Sequence, residues 1–451
     1  MASINIAANH KFKQLGQKQI CNEKTIYAEN YGCAANVFDF EILIKQLSDA
    51  GYHLTNSVDL ASIILINTCG VKKPTEDRII GRLQKLSETK KPLIITGCLP
   101  SINPKAISKA APDFSVSLDP HNIDKILEAV KLAEKGEKRR IFISKKPILK
   151  LTFERVILKP PIEIILISEG CAGSCSYCCV RFARGALFSY PKEAVVQSLR
   201  QAVRNGIKEI WLTSQDTGAY GLDIHANLAE LLRECCNVEG KFFIRVGMMN
   251  PNYILSILDE LINAYRGEKI FKFIHLPVQS GDNLILKKMN RKYSVEDYLT
   301  IVHRFREKIP EITLSTDIIC GFPGEKEDNF KKTLDLIRQV KPDIVNVSKF
   351  FPRPHTSAEK MKRIDVSIIK QRSTLLSYLV KKITYERNQK WVGWEGEILI
   401  DEQGKGKSWI GRNFSYKPIV VKDNRNLLGK FVNVKVTKSF STYLEAELVN
   451  I

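Results

Sequence analysis

At 451 residues the chain is long enough for two or three domains, each with its own core. Its 44% hydrophobic and 26% charged residues are those of an ordinary globular protein, which excludes a disordered or membrane class. Lysine and arginine outnumber the acids by 69 to 49; the resulting +20 favours a polyanionic partner such as nucleic acid about as much as it favours plain solubility.

No apolar run approaches the roughly 18 to 20 residues of a spanning helix, and "MASINIAANHKFKQ" lacks the apolar core of a signal peptide, so a cytoplasmic location with no membrane partner is expected. After a polar start, "KTIYAEN", "NVFDFEILIKQLSDA", "SIILIN", "TEDRIIGRLQKLSE" and "PLIIT" alternate β-branched strands with helices of 3.6 periodicity, which predicts βαβ units on a parallel sheet over residues 24–135. The basic stretch "KGEKRRIFISKKPILK" from Lys135 to Lys150 is expected to mark a domain boundary. Residues 150–390 alternate again, with six strands starting near Ile162, Lys208, Lys241, Phe271, Ile312 and Asp343. That count fits a partial (β/α)6 barrel better than a doubly wound sheet, with a basic helix trailing from about Val366 to Lys390. Residues 391–451 turn to short strands broken by Gly and Asn, the pattern of a small antiparallel barrel. The fold class is therefore α/β with a β-barrel appended.

Eleven cysteines, an odd number in a chain without an export signal, argue for thiolate ligation over disulfides. Cys21, Cys179, Cys235, Cys236 and Cys320 are expected to be structural. In "SEGCAGSCSYCCVRFARG", Cys171, Cys175 and Cys178 follow the first barrel strand with spacings that let three sulfurs from one loop converge. Structural zinc takes four closed ligands, whereas an iron–sulfur cube tolerates three and leaves one iron open. The bare spacing fits zinc or chance about as often as a cluster, and its place at the carboxyl end of a barrel strand favours the cluster. Cys33, Cys69 and Cys98 each stand just after an apolar strand, and in a parallel sheet those carboxyl ends share one edge. Unrelated core cysteines account for such a set about one time in three. Gly32, Gly70 and Gly97 beside them are expected to leave room for something bulky, which favours a second three-thiolate cluster.

CxxxCxxC with Tyr177 before its last cysteine resembles the signature of the radical S-adenosylmethionine superfamily, whose barrel also has six strands. Together with "NTCGVKKPTEDR", "TGCLP", "ARG" at Ala183 to Gly185, "LPVQSGDN" and "DIICGFPGE", the chain from about Thr25 to Ile451 is similar to the methylthiotransferase family. That resemblance implies two [4Fe-4S] clusters, one on Cys33, Cys69 and Cys98 and one on Cys171, Cys175 and Cys178. It implies S-adenosylmethionine as both methyl donor and radical source, and a C-terminal TRAM domain that binds RNA. It further implies cofactor contacts at Tyr177, Ser214, Asp216, Arg245, Gln279, Ser280, Gly321, Pro323 and Gly324, each also readable as a turn or strand-end residue. An electron donor such as ferredoxin or flavodoxin and a sulfur donor are implied as partners. His275 is expected to pack or to hydrogen-bond within its strand.

Aromatic residues Trp391, Trp394, Trp409, Phe414 and Tyr416 lie among Lys405, Lys407, Arg412 and Lys417, an arrangement suited to stacking bases and holding phosphates, although some of these rings must form the small barrel's core. "YGCAANVFD", "TSQDTGAYG" and "VGMMNPNYI" resemble the archaeal and eukaryotic branch, which methylthiolates N6-threonylcarbamoyladenosine in tRNA; without a eukaryotic membrane tail, the archaeal type is expected. Isopentenyladenosine in tRNA and a ribosomal protein are the substrates of sibling branches. A non-catalytic iron–sulfur RNA-binding protein and a protein with two zinc sites are the readings from other classes.

Overall fold

The computed structural model of the chain describes residues 4–5, 24–144 and 146–449, so Cys21 lies outside the described residues. Two compact units divide the chain, and neither is continuous. The first runs to Leu158 and takes back Ser168–Phe188 and Phe351–Glu359; the second holds Lys159–Ile167, Ser189–Phe350 and Lys360–Ile451.

The first unit is built on a mostly parallel sheet. Strands β1 (Thr25–Asn30), β3 (Ile63–Thr68), β4 (Leu93–Gly97), β5 (Val116–Leu118) and β6 (Arg140–Phe142) lie side by side in that order. The outer edge of β1 is shared by β2 (His53–Thr55), parallel, and by Ile4–Asn5, antiparallel. Every residue of β3 and β4 is buried, as expected of strands covered on both faces. Helices α1 (Ala34–Asp49), α2 (Lys73–Ser87), α3 (Pro104–Ala110) and α4 (Ile126–Glu134) connect them. Helix α2 carries Pro74 in its first turn and buries Ile79, Leu83 and Leu86 along one stripe.

The stretch read from sequence as a boundary belongs to this unit. Arg140–Phe142 pairs in register with Val116–Leu118, and Lys150, with none of its surface exposed, is ion-paired inside the unit. A three-residue basic edge strand carries too little apolar pattern to be seen in advance.

The second unit holds six parallel strands. Strands β7 (Ile162–Leu166), β8 (Glu209–Thr213) and β9 (Phe243–Val246) form one group, and β10 (Phe273–His275), β11 (Thr313–Cys320) and β12 (Ile344–Lys349) the other. Bridges at Ile244–Ile270 and Met248–His275 join β9 to β10, so the order is sequential, the partial barrel expected from the strand count. Helices α5 (Lys192–Arg204), α6 (Leu228–Cys236), α7 (Leu258–Tyr265), α8 (Val295–Lys308) and α9 (Glu327–Val340) fill the crossovers. Helix α8 starts on a reciprocal cap: Ser294 Oγ accepts from Asp297 N at 3.1 Å and the Asp297 carboxylate accepts from Ser294 N at 2.8 Å. Helix α10 (Val366–Gln389) leads to a closed five-stranded barrel of β13 (Glu395–Gln403), β14 (Ser408–Arg412), β15 (Pro418–Lys422), β17 (Leu444–Leu448) and β16 (Phe431–Ser439), in that spatial order. Ile398, Ile400, Ile419, Val421, Val434, Val436 and Leu444 fill its core.

Candidate functional site

Cys33, Cys69 and Cys98 sit just past the carboxyl ends of three adjacent strands. Cys33 caps α1 after β1, Cys69 follows Thr68 of β3, and Cys98 follows Gly97 of β4. A ladder of buried amides and hydroxyls sets these ends: Asn67 Nδ2 donates to Asn30 Oδ1 (2.7 Å) and to Asn36 O (2.8 Å), and Thr96 Oγ1 donates to Asn67 Oδ1 (3.1 Å). Asn36, fully buried, is the hub. Its Nδ2 donates to Thr68 O at 2.8 Å, and its Oδ1 is approached by Cys98 Sγ at 3.5 Å and Cys33 Sγ at 3.9 Å. Burial pushes the Cys69 thiol up to about 11, with the neighbouring Cys33 adding to the shift. Burial likewise pushes Cys98 up to about 12; Arg184 opposes it, and Cys69 and Cys33 reinforce it. Cys69 and Cys98 thus each feel their neighbours in the trio, and a cationic group that favoured thiolates would find these sulfurs in one neighbourhood.

The three glycines do not open a cavity here. A Cβ on Gly97 (φ +91°) would fall 2.3 Å from Thr68 O, one on Gly32 2.7 Å from Asn36 Nδ2, and one on Gly70 2.9 Å from Ile102 Cδ1. The glycine positions themselves are packed by the chain's own atoms, Asn36 at Gly32, Thr68 and Asn67 at Gly97, and Ile102 at Gly70, so they are small for packing and do not provide the room expected of them.

Cys171, Cys175 and Cys178, all partly exposed, occupy a loop of the same unit. Gly173 N donates to Cys171 Sγ at 3.3 Å and Cys178 N to Cys175 O at 3.1 Å, which winds the loop inward. Burial raises Cys178 above its ordinary range, and Cys175, Cys179 and Cys171 add to the shift, so this trio too is mutually close. Tyr177 is half-buried beside it. Among the described residues no three His, Cys, Asp or Glu side chains stand at closed metal-site spacing. What fits an iron–sulfur group is the donor chemistry: two sets of three soft sulfurs, each set short of the fourth ligand that structural zinc takes.

Sequence reasoning missed what joins the two trios. Glu169, Lys150, Asp39 and Arg184 form a buried charge square: Lys150 Nζ lies 2.7 Å from Asp39 Oδ1 and 2.6 Å from Glu169 Oε1, and Arg184 lies 2.7 Å from Glu169 Oε1 and 2.6 Å from Asp39 Oδ2. Burial acts to raise the Glu169 carboxyl, but Lys150, His121 and Arg184 together hold it well below the usual carboxylate range. Arg184 Nη2 also donates to Asn36 Oδ1 at 2.9 Å, so one guanidinium ties the residue two before Cys171 to the hub between Cys33 and Cys98. Cys179, expected to be structural, is buried with its Sγ 3.5 Å from Gly70 O, next to Cys69. Arg353, returning from far along the chain, donates to that same Gly70 carbonyl and to Glu76. Ala358 N donates to Ser176 O at 2.8 Å.

In the second unit, Ser214, Gln279, Ser280, Gly321, Pro323 and Gly324 follow the carboxyl ends of β8, β10 and β11, the edge expected of them. Asp216 Oδ1 accepts from Gly218 N (3.1 Å) and Asn250 N (3.0 Å), which pins the loop after β8 to the residues after β9; burial pushes its carboxyl up to about 6. Ser214 Oγ accepts from Asp216 N at 3.1 Å. Gln279 holds a left-handed conformation (φ 71°), bonded through N to Asp317 O at 2.8 Å. Ser280 Oγ accepts from Asp282 N at 3.3 Å. Gly321 N donates to Glu325 Oε2 at 2.9 Å, and Arg372 grips that carboxylate at 2.8 Å. A pair that sequence reasoning did not foresee lies on neighbouring strands: His275 Nε2 stands 3.1 Å from Asp317 Oδ2, and Asn346 Nδ2 donates to Asp317 Oδ1 at 2.7 Å.

Three predicted contacts are relocated. The Arg245 guanidinium lies over the rings of Trp211 (4.9 Å), Phe273 (5.0 Å) and Tyr416 (5.4 Å), so its charge is taken up by aromatic faces where the partial barrel meets the C-terminal barrel. Arg412 pairs with buried Asp401 at 2.9 Å and packs over Tyr416 at 4.8 Å. Lys417, 3% exposed, gives its ammonium to Asp343 (2.8 Å) and Asn388 (3.1 Å). Arg412 and Lys417 thus have their charges paired with carboxylates of this joint. Lys405 and Lys407 are exposed and, with Lys422, Ser408, Val420, Asp423 and Asn424, line a cleft of about 340 Å³. Trp391, Trp394 and Trp409 pack against the small barrel's core.

Three family models match the chain: the Radical SAM superfamily at residues 165–337, an uncharacterized protein family, UPF0004, at 25–118, and the TRAM domain at 389–449. A probable threonylcarbamoyladenosine tRNA methylthiotransferase of Pyrococcus horikoshii is 44% identical over 94% of this chain and 99% of its own length. The threonylcarbamoyladenosine tRNA methylthiotransferase of Drosophila melanogaster is 37% identical over 94% of this chain and 78% of its own, and the human one 35% identical over 94% and 74%. Among solved structures, the radical S-adenosylmethionine methyltransferase TsrM from Kitasatospora setae shares the fold at 16% identity, with a TM-score of 0.54 over 74% of this chain and 75% of that one.

Proposed function

Because the chain belongs to the family of threonylcarbamoyladenosine tRNA methylthiotransferases, we propose that it is a radical S-adenosylmethionine transferase that places a methylthio group at C2 of N6-threonylcarbamoyladenosine, next to the anticodon of tRNA. The cofactor and an iron–sulfur cluster on Cys171, Cys175 and Cys178 supply, when bound, a carbon-centred radical strong enough to remove hydrogen from an unactivated carbon. Cys33, Cys69 and Cys98 would hold a second iron–sulfur group, whose chemistry would be to supply the sulfur for insertion. Asn36 and Arg184 steady the strand ends that carry Cys33 and Cys98, and Asp216, Ser280 and Glu325 fix the strand-end loops of the partial barrel.

The target base must leave its stack to enter a protein pocket, at a cost that is smallest in a single-stranded loop. Phosphate attraction comes from exposed lysines such as Lys405, Lys407 and Lys422, in keeping with the chain's +20. A reduced electron-transfer protein and a sulfur donor complete the reaction, and the cytoplasm is its place.

The observation that carries this reading is that both thiol trios belong to one compact unit and are tied together through Glu169, Arg184 and Asn36. The test is mass analysis of tRNA nucleosides from cells with and without this chain. The methylthiolated nucleoside is expected to vanish on deletion while its threonylcarbamoyl precursor accumulates. An unchanged profile rejects the assignment.

A further inference from the structure

Helix α10 crosses from the partial barrel to the C-terminal barrel, and its two sides are built for different neighbours. The inner side buries Ile369, Arg372, Ser373, Leu376, Ile383, Thr384 and Asn388. It is also bolted electrostatically: Arg372 to Glu325 at 2.8 Å, Arg387 to Asp343 at 3.1 Å, and Asn388 Nδ2 to Phe440 O at 2.7 Å. The outer side presents Tyr378 (73% exposed), Tyr385 (44%) and Leu375 (48%), with Lys381 and Lys382 exposed between the two rings.

The spacing makes a pattern. Tyr378 is three and four residues from Lys381 and Lys382, which are four and three from Tyr385, so all four share one face. The rings stand two turns apart, roughly 10.5 Å along the axis, with two ammonium groups between them. Neither lysine enters an ion pair among the described residues. The helix holds five cations against one acid, Glu386, and both of its arginines are spent on the inner side.

Large rings left in water beside unpaired cations suit a ligand with flat faces and negative charge at alternating positions. We propose that the outer face of α10, through Tyr378, Lys381, Lys382 and Tyr385, docks an unpaired stretch of the substrate tRNA other than the nucleotide being modified. Bases stack on the two rings, and the phosphates between them meet the two lysines. A second copy of the chain is a poor occupant, because a two-fold contact would set this pair of lysines against its own symmetry mates. A membrane is equally poor, since between Tyr378 and Tyr385 the helix exposes two lysines and no large aliphatic. The inference rests on the tRNA reading above and extends it to a surface outside the small barrel.

The test is a binding titration of full-length tRNA transcript with the intact chain and three double variants, each checked for an unchanged melting temperature. Tyr378→Ala with Tyr385→Ala is expected to weaken binding at least ~10-fold, while Tyr378→Phe with Tyr385→Phe keeps it. Lys381→Gln with Lys382→Gln is expected to lower the slope of log affinity against log salt by roughly 1.4 to 1.8. Alanine and glutamine variants that bind with wild-type affinity and slope overturn the proposal while leaving the tRNA reading intact. So does a wild-type dimer that these variants split without loss of tRNA affinity, which gives the face to a second copy. A wild-type chain that binds no tRNA brings down both.

Discussion

Removing the Arg184 guanidinium leaves Asp39 and Glu169, both buried, with Lys150 as the one remaining ion-pair cation of the square. It also takes a donor from Asn36 Oδ1. Breaking a buried ion-pair set by deleting one partner costs about 3–5 kcal/mol. Arg184→Ala is therefore expected to lower the unfolding free energy measured in urea by that amount with an unchanged slope, and a value within about 0.5 kcal/mol of wild type would show the square to be dispensable. The placement of the six cysteines, three after strand ends of one sheet and three in one loop, was legible because spacing and apolar strands are local facts. Asn36, Arg184 and Arg353 were not, because their partners lie 148 and 283 residues away in sequence and no short pattern links them. The internal pairing of Lys417 and Arg412 was not legible for a related reason: a cation among aromatics looks alike in sequence whether it faces solvent or, as here, a buried carboxylate.

At the scale of elements, the joint between β8 and the C-terminal barrel rests on Glu209, fully buried at the start of its strand. Its Oε1 accepts from Trp211 Nε1 at 2.5 Å and from Tyr416 Oη at 3.2 Å. Burial, with Asp401 adding to it, pushes this carboxyl from 4.5 up to about 8. A carboxyl whose pKa is higher when folded binds more protons in the native state between those two values. Stability is therefore lost as pH rises from about 4.5 to about 8, and the full cost is present above that. Glu209→Gln keeps an acceptor for Trp211 and Tyr416 but does not titrate. Its melting temperature is expected to fall less than the wild type's between pH 6 and pH 8, and parallel curves would place the charge cost elsewhere. The six strands and the closing barrel were legible from period and turn residues. The first unit's edge was not: β6 is three residues long and sits in a run of lysines and arginines that reads as a linker.

For the molecule as a whole, the chain's path matters more than its domain order. The cysteine loop at 168–188 leaves the first barrel strand yet belongs to the unit that holds Cys33, Cys69 and Cys98, and residues 351–359 return to the same unit after the last barrel strand. Both thiol trios thus share a scaffold whose parts come from three separated stretches. Yet they use separate side chains, with Asn36 serving one trio and the 171–178 turn serving the other. Replacing Cys33, Cys69 and Cys98 together by alanine should then remove one cluster and spare its neighbour. Anaerobically reconstituted protein is expected to drop from about eight irons per chain to about four. Reductive cleavage of S-adenosylmethionine to 5'-deoxyadenosine should persist, while methylthiolated tRNA is no longer made. Loss of both cleavage and all iron would mean that the first trio is needed to build the second site. Full iron retention would mean that Cys33, Cys69 and Cys98 are buried strand-end residues and nothing more.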